Sequence, residues 1–231
     1  MVNKEISSAD EAVSNVQDGA VIMVGGFGPA GQPAELINAL MRRRPRGLTL
    51  ISNNAGNGDY GLAALMKSGC VRKIICSFPR QSDSWVFDEL YRQKKIELEL
   101  VPQGNLVARI QAGGAGLGGI FTPTGYGTQL TEGKETRLID GRHYVLETPL
   151  TAHFSLIKAQ RADRWGNLTF NKAGRNFGPI MAPASRCTIV EVSEMAALGE
   201  LDPEAIVTPG IYVSRVVQVP AVQTHLLAQG G

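Results

Sequence analysis

A glycine-rich loop between an apolar run and a helix pattern is the first candidate for chemistry. The run covers residues 20–24, the loop covers residues 25–31, and the helix pattern begins at Pro33. This arrangement brings backbone N–H groups close to a phosphate or a reacting carbonyl group. The loop also contains a G-x-G-x-x-G pattern from Gly26 to Gly31, so one interpretation is a dinucleotide site. That site needs an acidic residue at the end of the next strand, where this chain has Asn53, so the interpretation is disfavoured.

Amide and guanidinium side chains follow the next three predicted strands. Asn53 and Asn54 follow the second strand, Arg80 follows the third, and Gln103 follows the fourth. Because the carboxyl ends of parallel strands meet at one edge of a sheet, we expect these groups to converge. Neutral amide donors are suited to stabilising an oxyanion. For Asn54, a simple turn role is an equally good interpretation, since asparagine favours turns.

The sequence lacks an obvious nucleophile to act beside these donors. The three histidines (143, 153 and 225) are far apart and are interpreted as structural, and no metal-ligand spacing is present. Glu147 and Glu191 lie within predicted strands, not on glycine turns. The chain therefore offers an oxyanion-stabilising edge without a nucleophile, and such a half-site implies a partner.

The elements that must position these residues form an α/β pattern. Strands predicted at residues 20–24, 48–51, 71–77 and 96–101 alternate with helices, which favours an open, mostly parallel sheet flanked by helices. The second half predicts an antiparallel hairpin around Asp140-Gly141, a turn-rich loop at 121–128, and strands at 154–159, 167–170, 187–192 and 211–217. We expect one domain over residues 1–231, with a short helix from Ser8 to about Val16 and frayed residues 221–231.

Composition narrows the functional class. The chain has 231 residues, 43% of them hydrophobic, and a net charge of +2, which gives no electrostatic case for nucleic acid or an anionic membrane. The three cysteines lack metal spacing and are expected to be buried free thiols. Neither a bilayer-spanning apolar run nor a signal-peptide pattern is evident, so a cytoplasmic location is expected.

Several segments resemble the A chain of the two-chain family I coenzyme A transferases. The first combines Asp-Gly at 18–19, Gly-Gly-Phe at 25–27 and Gly-Gln-Pro at 31–33. The others are Ser-Asn-Asn-Ala-Gly at 52–56, Pro-Gln-Gly-Asn-Leu at 102–106, Thr-Pro-Thr-Gly-Tyr-Gly-Thr at 122–128, Ala-Asp-Arg-Trp-Gly-Asn-Leu at 162–168, Ala-Gly-Arg-Asn-Phe at 173–177 and Thr-Pro-Gly-Ile-Tyr-Val at 208–213. The resemblance covers nearly the whole chain.

The resemblance implies a ping-pong CoA transfer in an α/β fold of the CoA-transferase (NagB/RpiA-like) type. The nucleophilic glutamate is expected on a B subunit, within Ser-Glu-Asn-Gly, in an A2B2 assembly, and coenzyme A and succinyl-CoA are substrates rather than permanent cofactors. Gln103 matches the oxyanion-hole glutamine, and Asn53 and Asn54 match asparagines that line the active site. The stretch matched to CoA is Gly25, Gly26, Phe27, Gly28, Pro29, Ala30 and Gly31.

Residues 76–84, Cys-Ser-Phe-Pro-Arg-Gln-Ser-Asp-Ser, resemble the subgroup that moves CoA from succinyl-CoA to 3-oxoadipate in the degradation of aromatic compounds. We hypothesise that Arg80 binds the distal carboxylate of that substrate, and a plain surface arginine is the alternative. Three other functions remain open: transfer to acetoacetate or another short 3-oxo acid, a sugar-phosphate isomerase relative, and a nucleotide-binding module.

Overall fold

The first half of the chain alternates strictly between helices and strands. The structure, a computed structural model, describes residues 2–219. Its elements to the middle of the chain are α1 (Ala9–Ala12), β1 (Val21–Val24), α2 (Ala34–Arg43), β2 (Leu48–Ile51), α3 (Gly61–Lys67), β3 (Val71–Cys76), α4 (Trp85–Arg92), β4 (Glu97–Leu100) and α5 (Gln103–Gly114).

The second half is dominated by strands. They are β5 (Ile120–Thr122), β6 (Thr136–Ile139), β7 (Arg142–Glu147), β8 (Ala152–Asp163), β9 (Leu168–Thr169), β10 (Ser185–Ala196) and β11 (Arg215–Gln218), with helix α6 (Gly178–Met181) before β10. Short 3₁₀ turns cover Gln129–Thr131, Lys172–Arg175, Pro203–Ala205 and Gly210–Tyr212.

One large sheet organises the molecule. Its strand order is β11-β10-β8-β1-β2-β3-β4, every neighbouring pair in that order is parallel, and β9 adds to β8 in the antiparallel sense. The prediction of an open, mostly parallel α/β sheet is confirmed. β1 therefore lies between β2 and β8, so the glycine loop after β1 is flanked by residues from both halves of the chain.

A small antiparallel sheet, in the order β5-β7-β6, carries the predicted hairpin. Asp140 (φ 48°) and Gly141 (φ 75°) form its two-residue turn, as expected for a type I′ connection. Two expectations were wrong in this half. Residues 121 and 122, predicted as the start of the turn-rich loop at 121–128, belong to strand β5, and the predicted strand at 211–217 is instead a 3₁₀ turn followed by β11.

Helices cover both faces of the large sheet and create two apolar layers. Strand β1 shows the alternation, because Ile22 and Val24 pack in one layer with α2 and α3, whereas Met23 packs in the other with α5. Between residues 2 and 219, no helix is long and apolar enough to span a bilayer. Helix α1 ends at Ala12, short of the predicted Val16.

Two of the three predicted buried thiols are in these layers. Cys70 and Cys76 are buried, and Cys187 is only half-buried because it lies near the start of β10, at the amino edge of the sheet. The predicted fraying of residues 221–231 and the interpretation of His225 lie outside the described residues.

Candidate active site

A cleft of about 550 Å³ lies at the carboxyl edge of the large sheet. Phe27 follows β1, Asn53 follows β2, and Gln103 follows β4. The segment after β3 supplies the rest of the lining, namely Ser77, Phe78, Arg80, Gln81 and Ser82. The predicted convergence of the strand ends is thus observed. Among residues 2–219, the side chains that line the cleft include no carboxylate, thiol or imidazole.

Gln103 is the first residue of helix α5, and its amide is fixed by Asn53. The Gln103 Nε2 donates to Asn53 Oδ1 at 2.7 Å, and the Ser77 hydroxyl donates to the same oxygen at 2.8 Å. Asn53 is 3% exposed, whereas Gln103 is exposed to the cleft. Because Asn53 Oδ1 accepts from one Gln103 N–H, the second N–H of that amide is available to a bound group. An amide held in this way is a preorganised donor for an oxyanion.

Backbone bonds fix the position of Asn53 itself. Its carbonyl oxygen accepts from the N–H groups of Ser77 and Phe78 at 3.1 and 3.0 Å. The sequence gives no sign of a role for Ser77, since a serine after a strand is a common turn residue. The structure gives it a definite place beside Asn53.

The glycine loop is a miniature hairpin. Phe27 and Ala30 exchange backbone hydrogen bonds of 2.9 and 3.2 Å, which places Gly28 and Pro29 at the tip. Gly31 has φ 71°, and a Cβ there would lie 2.1 Å from the carbonyl oxygen of Gly174. Only glycine fits this close approach.

Asn176 fastens this loop from the other half of the chain. Its Oδ1 accepts from the N–H of Gly26 at 3.0 Å, and its Nδ2 donates to the carbonyl of Ala30 at 2.9 Å. In the sequence Asn176 is only one member of the 173–177 motif, and 150 residues separate it from Gly26. The topology of the sheet, which no local pattern reveals, brings them together.

A carboxylate already occupies the amino end of helix α2, directly after the loop. Glu191 Oε2 accepts from the N–H groups of Glu35 and Leu36 at 2.9 and 3.2 Å. In a dinucleotide site the pyrophosphate takes this position. Burial raises the pKa of Glu191 above its usual value, and the Lys158 ammonium and the two backbone N–H groups offset only part of that rise. This internal carboxylate adds a structural argument against the dinucleotide interpretation.

Arg80 lies in the cleft and is anchored at one end. Its Nε donates to Asp88 Oδ1 of helix α4 at 2.6 Å, and 63% of the Arg80 side chain is exposed. A guanidinium has five N–H donors, so this bond leaves most of them available. The ion pair holds the arginine at the cleft and leaves its other N–H donors available to a bound group.

Some predicted site residues lie elsewhere. The Asn54 side chain accepts from the N–H of Gly56 at 2.8 Å in a local turn, so the turn interpretation applies to it. With Gly28 and Pro29, Asn54 lines a narrow crevice beside the cleft, whereas Ala30 and Gly31 line a cavity of about 260 Å³ on the far side of the loop. The N–H of Gly25 is used by the carbonyl of Leu156.

The two described histidines have structural contacts. His143 stacks on Tyr126 with ring centroids 4.4 Å apart, and His153 Nδ1 accepts from the N–H of Val21 at 2.9 Å. Among residues 2–219, no group of three or more His, Cys, Asp or Glu side chains could hold a metal ion.

A buried ionic network supports helix α5 behind Gln103. Arg109 donates to Glu99 at 3.0 Å and lies 3.8 Å from Glu147, whose carboxylate also accepts from Lys134 at 2.8 Å. Burial raises the pKa of Glu99, but the bonds from Lys73 and Arg109 outweigh burial, and the net pKa is lowered. The network joins α5 to the edge strand β4 and to the small sheet.

Comparison with known proteins assigns this chain to a family. Residues 6–219 match the model of the family described as Coenzyme A transferase. The chain belongs to the coenzyme A transferase family. It is 64% identical to the A chain of the 3-oxoadipate CoA-transferase of Acinetobacter baylyi, over 95% of this chain and 96% of that protein. It is 62% identical to the Pseudomonas putida protein of the same name over 99% of both chains.

A solved structure of similar fold belongs to an acyl-CoA transferase from E. coli O157:H7, a thioester complex with CoA. The TM-score is 0.81 and the identity 25%, over 94% of this chain and 47% of that one. This chain therefore spans about half the length of that transferase.

Proposed function

We propose that this chain is one of two kinds of subunit, the A chain, in a heteromeric transferase that moves CoA from succinyl-CoA to 3-oxoadipate. The observation that carries the proposal is the identity of 62–64% to two proteins of that name over nearly their full length. The cleft agrees with it, because it holds an oriented amide donor and a guanidinium, and none of the described residues that line it is a carboxylate nucleophile. The nucleophile is then supplied by a partner B chain, with Ser-Glu-Asn-Gly as the expected segment and A2B2 as the expected assembly.

The chemistry exchanges one thioester for another. The partner's glutamate attacks the carbonyl carbon of succinyl-CoA, and the CoA thiolate leaves as a succinyl-glutamyl anhydride forms. The thiolate then attacks the glutamyl carbonyl, which releases succinate and leaves a glutamyl-CoA thioester. The same steps then run in reverse with a 3-oxoadipate carboxylate in place of succinate, which forms 3-oxoadipyl-CoA and frees the glutamate. Each attack passes through a tetrahedral oxyanion, so the site requires a neutral hydrogen-bond donor that stabilises this oxyanion without forming a permanent ion pair with it.

Gln103 is the residue to which we assign this stabilisation. Its free N–H faces the cleft while Asn53 holds the other, so little reorientation is required when the oxyanion forms. Asn53 is thereby a positioning residue for Gln103. Ser77, which also donates to Asn53 Oδ1, fixes the direction of the Asn53 amide.

The glycine loop and Arg80 are assigned to the substrates. The hairpin tip of the loop presents backbone close to the cleft, where the CoA arm has to pass, and Asn176 keeps that backbone in place. Arg80 provides N–H donors to the carboxylate of 3-oxoadipate that does not react. A short 3-oxo acid such as acetoacetate lacks this second carboxylate, so the Arg80 contact would favour the dicarboxylate.

The test is a reconstitution assay. The purified chain, alone and then with a partner that carries Ser-Glu-Asn-Gly, is given succinyl-CoA and either 3-oxoadipate or acetoacetate. We expect activity only with the partner, and a higher kcat/KM for 3-oxoadipate. Full activity of the chain alone would contradict the divided site, and preference for acetoacetate would reassign the substrate. Phosphosugar isomerisation or NAD binding by the chain would revive the other functional classes.

A further inference from the structure

The helix that follows the glycine loop is capped from a distance. Helix α2 begins after Pro33, which provides no side-chain bond to the first turn. The first four N–H groups of a helix need acceptors from outside the helix. Glu191, in the middle of β10, provides them for Glu35 and Leu36, although more than half of the chain lies between these residues.

This cap is buried and paired. Glu191 is 1% exposed, and its second carboxylate oxygen, Oε1, lies 3.2 Å from Nζ of Lys158 on the neighbouring strand β8. A buried carboxylate is costly unless its oxygens are satisfied, and here the ammonium and two N–H groups satisfy both oxygens. The amino end of α2, β8 and β10 are thereby tied at one point.

The contact between Glu191 and the first turn of α2 lies next to one end of the glycine loop. The loop leaves β1 at Gly25, is fastened by Asn176 at Gly26 and Ala30, and is followed by α2, which begins at Ala34, three residues after Gly31. A shift of the first turn of α2 would move the loop relative to Gln103. Displacements of about 1 Å in an active site lower rates by about a hundredfold.

We propose that Glu191 is a positioning residue for the glycine loop, acting as an internal anion at the amino end of α2 with Lys158 as its counter-ion. The part of this inference that concerns substrate rests on the proposed function, in which the loop faces CoA. The observed hydrogen-bond and ion-pair partners of Glu191 are Glu35, Leu36 and Lys158, and none of these residues lines the cleft. We therefore infer that its effect on turnover is exerted through the loop.

Removal of the carboxylate should create a site for a small anion. In Glu191→Ala, two N–H donors and the Lys158 ammonium remain without their acceptor. Lys158 also lines the cavity of about 260 Å³ beside Ala30 and Gly31, which gives a small solute a route to this point. Formate or acetate has the shape and charge of the missing group.

The first experiment measures the melting temperature of the chain with and without sodium formate, at constant ionic strength set with sodium chloride. We expect Glu191→Ala to melt about 6–12 °C below wild type. Formate should recover at least half of that loss. Glu191→Gln should melt at an intermediate temperature with a smaller recovery. Glu194→Gln is the control, since Glu194 lies on the same strand and forms an exposed pair with Arg161. Equal effects of formate on Glu191→Ala and on this control would overturn the anion cap.

The second experiment measures steady-state kinetics of the complex reconstituted with the partner. We expect Glu191→Ala to raise the KM for succinyl-CoA about tenfold with a smaller change in kcat, and formate to lower that KM again. Glu191→Gln should lie between the two. Formate rescue of the melting temperature with an unchanged KM would reduce Glu191 to a stabilising residue and overturn the positioning role. The melting experiment uses no substrate, so it still decides the anion cap if the wild-type complex proves not to be this transferase.

Discussion

Replacing Gln103 by alanine removes the one oriented amide N–H that we assign to the oxyanion. The bond of 2.7 Å to Asn53 shows that this amide is already fixed before substrate binds, so its whole contribution is available in the transition state. We therefore expect kcat to fall by about 10² to 10³, equivalent to about 2.7–4 kcal/mol. The KM for succinyl-CoA should change much less, since the donor acts on the developing charge.

Asn53→Ala tests whether that fixation matters. The substitution removes the acceptor of the Gln103 amide and leaves Gln103 itself in place. One lost hydrogen bond between neutral groups corresponds to about 1 kcal/mol, so we expect kcat to fall roughly five- to tenfold. If Asn53 acts only through Gln103, the double variant should be no slower than Gln103→Ala alone, and the double-mutant cycle should give a coupling energy of about 1 kcal/mol.

The assay is the initial rate at which the reconstituted complex forms 3-oxoadipyl-CoA, with saturating succinyl-CoA and 3-oxoadipate. Size-exclusion chromatography of each variant with the partner shows whether the complex is intact. Gln81→Ala is a matched control, because Gln81 lines the same cleft but is not among the observed hydrogen-bond partners of Asn53. Unchanged kcat in Gln103→Ala would remove this residue from the mechanism. Strictly additive effects in the double variant would show that Asn53 contacts substrate independently.

Two further predictions concern substrate choice and pH. Arg80→Gln should raise the KM for 3-oxoadipate about tenfold, with little change in the KM for acetoacetate. The effect is smaller than that of losing a buried ion pair because the Arg80 side chain is exposed. Arg72→Gln is the exposed control, and equal effects on both acids would contradict a distal-carboxylate contact. The lowered pKa of Glu99 means that its ionised form stabilises the fold above the usual value of 4.5 and that this contribution is lost as pH falls through the lower folded pKa. Urea unfolding from pH 3 to 7 should show wild type more stable than Glu99→Gln at pH 7, with the difference shrinking below about pH 4.5, and a constant difference would refute the assignment.

The parallel sheet and the residues at its carboxyl edge were predictable because both depend on local patterns. β2 was predicted with its observed bounds, and the strands of the first half differ by one residue at most at either end. The apolar runs are bounded by glycine, proline and asparagine, which mark strand ends clearly. The place of Gln103 at the carboxyl edge was also predicted, although this residue starts helix α5 instead of lying in a loop before it.

Contacts between distant parts of the chain were not predictable. Asn176 and Glu191 each act on residues near the amino terminus, and neither has a neighbour in sequence that indicates this. Residues 160–163, the last third of β8, were missed because Gln160 and Arg161 interrupt the apolar pattern. Arg161 pairs with β10 and β9, beyond the end of β1, where the strand no longer needs to be apolar on both faces.

The position of β1 between β2 and β8 has a consequence for protein synthesis. After β2 is complete at Ile51, residues 52–163 have to be added before β8 can pair with β1, which takes roughly 6 to 20 s at about 5–20 residues per second. During that time Ile22, Met23 and Val24 lie on an unpaired apolar edge of the nascent chain, which is a template for aggregation. A fragment that ended after α5 would keep that edge permanently, so the amino-terminal half is unsuitable as an independent module.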